Sequence, residues 1–197
     1  SLADKGIYIA SESSFYKVLK EKKLLEHRGK SKKQAHNRPA PLVATGPNQI
    51  YSWDITYLRS NIAGKFYYLY MFMDIYSRKI VGQEVFEVES MEFSSALVER
   101  ICVCEEIQKK QLILHSDNGG AMKGATMLAT LQRLGVVPSF SRPRVSNDSP
   151  YSEALFKTLK YCPEYPSKPF ASIAEANAWV NKFVFWYNNI HLHSGIK

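Results

Sequence analysis

Residues Phe66–Ile75 read FYYLYMFMDI, an almost unbroken apolar run. A run of this length suits a strand buried on both faces. Upstream, Ile50–Leu58 (IYSWDITYL) is a second strand candidate, and Ser60-Asn61-Ile62-Ala63-Gly64 has the composition of a turn. Downstream, Ser77-Arg78-Lys79 turns into Ile80–Phe86, a third strand. Short turns between three such segments predict an antiparallel meander. Beyond it the pattern predicts a helix over 89–109, a short strand at Gln111–His115, and a helix over 122–134 stopped by Gly135. A fifth strand at Val136–Phe140 follows, then a loop (SRPRVSNDSP, 141–150) and helices at Tyr151–Tyr161 and Ala174–Ile190. On the last helix Ala176, Trp179, Val180, Phe183, Tyr187 and Ile190 share one stripe. Three hairpin-linked strands followed by alternating helices and strands predict a mixed α/β sheet, with strands one, four and five parallel neighbours.

The first quarter of the chain has a different texture. The whole chain of 197 residues carries a net charge of +8. Residues 1–49 hold ten Lys/Arg against four Asp/Glu, so three-quarters of the excess sits there. A basic arm on a nearly neutral body suits a polyanionic partner, most simply nucleic acid, though a solvated linker explains it about as well. Residues 11–26 read as a helix with Ser11 as N-cap and Phe15, Val18, Leu19 and Lys22 on one face. With the turn at Gly6 this resembles the end of a helix-turn-helix whose first helix is cut off by the start of the chain. Residues 27–48 open with HRGKSKKQAHNRPAP and read as a basic linker.

Composition excludes several classes. With 45% hydrophobic residues and 13% aromatics, the chain can build one ordinary core, which excludes disorder throughout. No apolar run approaches the roughly 18 residues a membrane span needs, and the N-terminus has no signal-peptide pattern. Cys102, Cys104 and Cys162 are odd in number and form no C-x-x-C. They read as small apolar fillers in a reducing, cytosolic setting.

Three carboxylates could carry chemistry. Asp54 stands mid-strand in Tyr51–Tyr57 (YSWDITY), on the face of Ser52 and Thr56. A buried carboxylate there costs several kcal/mol unless it is paired or bound to a cation, whereas a half-exposed strand needs no explanation. Asp117 follows the apolar Leu112-Ile113-Leu114 and precedes Asn118-Gly119-Gly120, which is site geometry and also good turn chemistry. Glu153 opens a helix, with Lys157 and Lys160 further along the same face. This is a carboxylate followed by two cations, or simply a surface ion pair worth a few tenths of a kcal/mol. Taken together, three converging carboxylates repel one another unless a divalent cation intervenes. All-oxygen ligands favour Mg²⁺ or Mn²⁺, and two such ions can drive an in-line phosphoryl displacement.

The segments Trp53-Asp54-Ile55-Thr56, His115–Gly120 and Asn147–Lys160 resemble the D-D-E motif of bacterial insertion-sequence transposases and retroviral integrases. The 35 residues between Asp117 and Glu153 match one large branch of that family, as does the basic Lys160. The likeness extends through Asp74–Gly82 and Trp186–Asn189 with His191 and His193, and covers roughly residues 45–197. Gln83, Ala121 and Ser149 depart from the pattern, and none of them touches the three acids.

The resemblance implies an RNase H-like five-stranded core over 49–197, behind a partial helix-turn-helix (1–26) and a linker (27–48). It implies Asp54, Asp117 and Glu153 as catalytic residues holding two Mg²⁺ or Mn²⁺ ions, with cleavage at transposon ends and joining of the 3′-hydroxyl to target DNA. Lys157, Lys160, Arg142, Arg144, Lys17 and Lys20 are the expected DNA contacts. Expected partners are transposon-end and target DNA and further copies of the chain, with no membrane, in a bacterial cytoplasm at the nucleoid. Two other readings fit the same residues: a catalytically inactive or repurposed DNA-binding protein, and an RNase H-like nuclease. His115 reads as a structural strand-end histidine, and His191 and His193 as too divergent to share a zinc ion.

Overall fold

In the computed structural model, residues 9–25, 42–109, 111–117, 119–141 and 150–193 are described. The chain divides into two compact units, residues 1–41 and 42–197.

In the first unit the described residues form α1 (Glu12–Glu21). Ser11 caps it, its hydroxyl accepting from the backbone N–H of Ser14 at 3.3 Å. The helix is shorter than the expected 11–26. Its apolar side is bare, for Phe15 and Val18 are about half exposed and no α1 residue is buried. Lys17 and Lys20 are exposed on it.

In the second unit, five strands among the described residues form one sheet in the order β3-β2-β1-β4-β5. These are β1 (Ile50–Arg59), β2 (Phe66–Asp74), β3 (Ile80–Phe86), β4 (Ile113–Ser116) and β5 (Val137–Phe140). The pairs β1–β2 and β2–β3 are antiparallel, while β1–β4 and β4–β5 are parallel. The expected meander and parallel half are both present. β2 is buried along nearly its whole length because helices cover both faces of the sheet.

One layer comprises α2 (Met91–Cys104), α3 (Gly120–Lys123) and α4 (Ala125–Leu134). It packs Leu97, Ile101, Met127 and Leu131 onto Tyr51, Trp53, Tyr70 and Phe72. Trp53 stacks flat on Phe72 with centroids 4.8 Å apart. The other layer comprises α5 (Pro150–Tyr161) and α6 (Ile173–Asn189). It packs Leu155, Leu159, Val180 and Phe183 onto Leu58, Leu69, Met71 and Val85. Strand alternation therefore turns Trp53 toward the first layer and Ser52, Asp54 and Thr56 toward the second.

Several elements differ from expectation. α2 starts at Met91 because the Ser90 hydroxyl caps the Glu92 N–H at 3.1 Å. It stops at Cys104 because Glu106 turns left-handed (φ 52°) and the Ile107 N–H folds back onto the Cys102 carbonyl at 2.9 Å. The helix expected over 122–134 is two helices broken at Gly124, whose backbone is extended. A Cβ at Gly124 would lie 2.6 Å from the Met91 sulfur, so the break lets α2 approach closely. β4 lies at 113–116 rather than 111–115, set by its ladder to β1. Cys104 is exposed and so fills no core, and Ile190 falls outside the buried stripe of α6.

The free edge of β3 is covered by side chains of α6. Asn188 Oδ1 accepts from the Ile80 N–H at 2.9 Å, and its Nδ2 donates to the Ile80 carbonyl at 2.9 Å. Asn177 Oδ1 accepts from the Val85 N–H at 3.1 Å. Gln83 between them donates to Asn181 Oδ1 at 3.3 Å.

Candidate active site

The site is built where β1 and β4 run parallel. Their ladder pairs Ile50 with Ile113, Tyr51 with Leu114 and Ser52 with His115. Carrying that register two residues further brings Asp117, just past the end of β4, level with Asp54. Neighbouring strands lie about 5 Å apart, and residues at one level share a face. Continued in that register the ladder would set the two acids at one level, and the charge of Asp117 does reach Asp54.

α5 is held against that face by two contacts that the sequence reading did not identify. The buried hydroxyls of Ser52 and Ser152 meet at 2.7 Å. The Arg78 guanidinium lies 4.2 Å over the Tyr151 ring. Arg78 is presented by a tight turn in which the buried Asp74 carboxylate accepts from the Ser77 N–H at 3.0 Å and from the Ser77 hydroxyl at 2.5 Å. Both contacts flank Glu153, one and two residues before it. A visible signal was the run of polar residues Ser52, Asp54 and Thr56. The structure buries Ser52 and Thr56 and leaves Asp54 partly covered, so that face is not open to water.

Burial pushes the Asp54 carboxyl up, from 3.8 to about 6. The Ile55 N–H, donating to Asp54 Oδ1 at 2.8 Å, opposes the rise. The negative charges of Asp117 and Glu153 both add to it, and Lys160 opposes it. Asp117, Glu153 and Lys160 thus all lie within electrostatic reach of Asp54. Asp117 is exposed and accepts the Gly119 N–H on Oδ1 at 2.8 Å, which is the turn chemistry expected of that segment. Glu153, Lys157 and Lys160 share the exposed side of α5, while Leu155, Phe156 and Leu159 face the core.

Among the described residues no three His, Cys, Asp or Glu side chains are close enough to hold one metal ion. The donor chemistry nevertheless fits a hard divalent cation: three carboxylates, all oxygen, with a mutual repulsion that ionisation of Asp54 must overcome. Asp117 and Glu153 are both exposed, so their side chains have room to turn inward.

His115 is tied to β5, its Nδ1 3.0 Å from the Ser139 hydroxyl. His191 and His193 do converge, with centroids 4.8 Å apart, and both rings lie against Tyr187. Arg142 and Arg144 lie outside the described residues.

A five-stranded mixed sheet in this order, flanked by helices, is the RNase H-like fold of the retroviral integrase cores. A chain of the simian T-cell lymphotropic virus intasome in complex with PP2A regulatory subunit B56 gamma is similar over 83% of this chain and 58% of that one (TM-score 0.61, 18% identity). The HTLV-2 integrase catalytic core domain, solved in complex with magnesium as a dimer, is similar over 76% of this chain and 92% of that one (TM-score 0.54, 18% identity).

The chain belongs to the integrase core domain family, whose models match residues 44–146 and 134–197. Curated relatives include the transposase for insertion sequence element IS904 of Lactococcus lactis, 31% identical over 158 residues (78% of this chain, 59% of that protein). Another is the putative transposase for insertion sequence element IS986/IS6110 of Mycobacterium tuberculosis, 27% identical over 180 residues (84% and 64%). The chain thus spans about three fifths of the length of these relatives. No helix among the described residues is long and apolar enough to cross a membrane.

Proposed function

We propose that this chain is the catalytic portion of an insertion-sequence transposase, which cuts DNA at transposon ends and joins the freed 3′-hydroxyl to target DNA. What supports this reading is the parallel ladder of β1 and β4, which carries Asp54 on one strand and Asp117 just past the end of the other, together with the charges of Asp117 and Glu153 that raise the Asp54 carboxyl. Asp54, Asp117 and Glu153 would hold two divalent ions, Mg²⁺ or Mn²⁺, whose chemistry is to ease deprotonation of a hydroxyl nucleophile and to neutralise charge on the phosphodiester oxygens.

The chain's other residues bind and orient the DNA. Lys157 and Lys160, in line beyond Glu153, hold phosphates of the reacting strand. Arg142 and Arg144 hold the backbone on the other side of Glu153 in sequence. Lys17 and Lys20 on α1 contact transposon-end DNA, as the last part of a helix-turn-helix over residues 1–26, linked through residues 27–48 to the core from 49 onward. Copies of the chain assemble on paired DNA ends, in the bacterial cytoplasm at the nucleoid.

Supercoiled plasmid, oligonucleotides carrying the element's ends, and Mg²⁺ or Mn²⁺ test this reading. Joined products are expected. Asp54→Asn, Asp117→Asn and Glu153→Gln should each abolish them while preserving DNA binding. Nicks without joining would select a nuclease, and full activity in Glu153→Gln would overturn the assignment.

A further inference from the structure

Beyond Lys160 the surface sinks into a concavity of about 520 Å³. Its floor and one wall come from the end of β1 and the start of β2, and the opposite wall from the end of α5 and the segment 165–170. That segment is strapped to the sheet: the Phe170 N–H donates to the Arg59 carbonyl at 2.9 Å, and the Asn61 N–H donates to the Phe170 carbonyl at 3.0 Å. Tyr165, on the same wall, packs edge-on against Trp179 with centroids 5.1 Å apart. The concavity is therefore a built feature of the fold.

Its lining is unusual in charge. Arg59, Lys160 and Lys168 contribute three cations, and no Asp or Glu lines it. None of the three forms an ion pair among the described residues. Between the cations stand aromatic rings exposed to solvent: Tyr57, Phe66 and Tyr161, the last 80% exposed. Tyr57 and Phe66 brace each other edge to face with centroids 6.0 Å apart. Exposed rings among unpaired cations are costly for a monomer to display and suit one ligand chemistry, a base with its phosphates. A duplex keeps its bases stacked away from such rings, whereas an unpaired nucleotide offers both a ring face and a phosphate.

The geometry points to a subsite for an unpaired nucleotide of the DNA strand that leaves the acidic centre, its base against Tyr57, Phe66 and Tyr161 and its phosphates on Arg59, Lys160 and Lys168. Lys160 joins the two places, since it lines the concavity and its charge also reaches Asp54. The subsite rests on the transposase reading for its substrate. It extends that reading by requiring that some of the DNA beside the reacting phosphate be single-stranded.

Fluorescence anisotropy in EDTA tests the subsite without catalysis. The probes are a labelled blunt duplex, the same duplex with a three-nucleotide single-stranded extension, and one with an abasic extension. The natural extension should tighten binding at least fivefold over the blunt end, as expected when a base stacks on an aromatic ring. The abasic extension should recover little of this gain. Tyr161→Ala, at a side chain too exposed to support the fold, should lose the gain while keeping blunt-end affinity within twofold. Arg59→Ala/Lys168→Ala should lose it as well and flatten the salt dependence for the extended probe. No gain in the unaltered chain, an equal gain with the abasic probe, or a gain that survives these variants would overturn the subsite. If the unaltered chain shows the gain yet neither cuts nor joins DNA when given Mg²⁺ or Mn²⁺, the transposase reading falls and the subsite stands.

Discussion

Ser52 and Ser152 share a buried hydrogen bond of 2.7 Å between hydroxyls one hundred residues apart in the chain. Ser52 lies two positions before Asp54 on β1, and Ser152 lies one before Glu153 on α5. The bond therefore locks the helix carrying one acid onto the strand carrying another. It fixes where Glu153 starts from, though not which way its side chain points.

Removing one of the two hydroxyls strands the other in the core. Ser52→Ala or Ser152→Ala should each destabilise the chain by about 1–2 kcal/mol, and the double variant by clearly less than their sum. Urea titrations of all four proteins measure the coupling. Additive losses would mean that the pair contributes nothing as a pair. The single variants should also lower strand joining more than they lower DNA binding, because Glu153 loses its anchor.

Asp54 gives a pH-dependent prediction. Its carboxyl titrates at about 6 in the fold against 3.8 ordinarily, chiefly through burial. A pKa raised by folding favours the protonated form in the native state. Its stabilising contribution is full below about pH 4 and is lost as pH rises through about 6. Asp54→Asn should therefore match the unaltered chain in stability near pH 4 and exceed it above pH 6, by up to about 3 kcal/mol at about 1.4 kcal/mol per unit. Thermal melts at pH 4, 5, 6 and 7.5 in EDTA check this. Mg²⁺ should narrow the gap by stabilising the unaltered chain alone.

Much of this was legible in local pattern. Phe66–Ile75 announced a strand buried on both faces because a strand covered by helices on each side has no reason to alternate. Asp54 stood out because it interrupts an apolar strand, whereas Asp117 and Glu153 fit a turn and a surface pair equally well and gained weight only from their spacing. What was illegible depends on partners distant in sequence. Gly124 reads as a tolerated helix residue until Met91 is found packed against it. The end of α2 depends on a left-handed Glu106, which side-chain type does not advertise. Ser152 carries no signal of its own in the sequence, and only its pairing with Ser52 gives it a task.

Arg142 and Arg144 allow a direct test of the DNA path. If both neutralise phosphates, the double alanine variant should weaken duplex binding regardless of sequence. It should also reduce the slope of log affinity against log salt by about 2, close to one per lost contact. Anisotropy titrations between low and moderate salt give the slope, and an unchanged slope would remove both residues from the interface.

Asn188 offers a structural prediction. Asn188→Ala releases both the N–H and the carbonyl of Ile80 to water. A loss of about 1–2 kcal/mol is expected for two partly exposed hydrogen bonds. Hydrogen exchange at Ile80 should accelerate markedly while the amides of β1 stay protected. Equal acceleration across the sheet would indicate global loosening instead.

The amides of α6 also decide how this sheet can meet others. A bare outer strand is a template onto which a foreign strand can zip. Here Asn177 and Asn188 already occupy the backbone sites at both ends of β3, so an incoming strand finds its rungs taken. Copies of the chain can crowd together on one length of polymer without fusing into a continuous ribbon along that rim, and Asn188→Ala should be the first lesion to make a concentrated preparation turn cloudy.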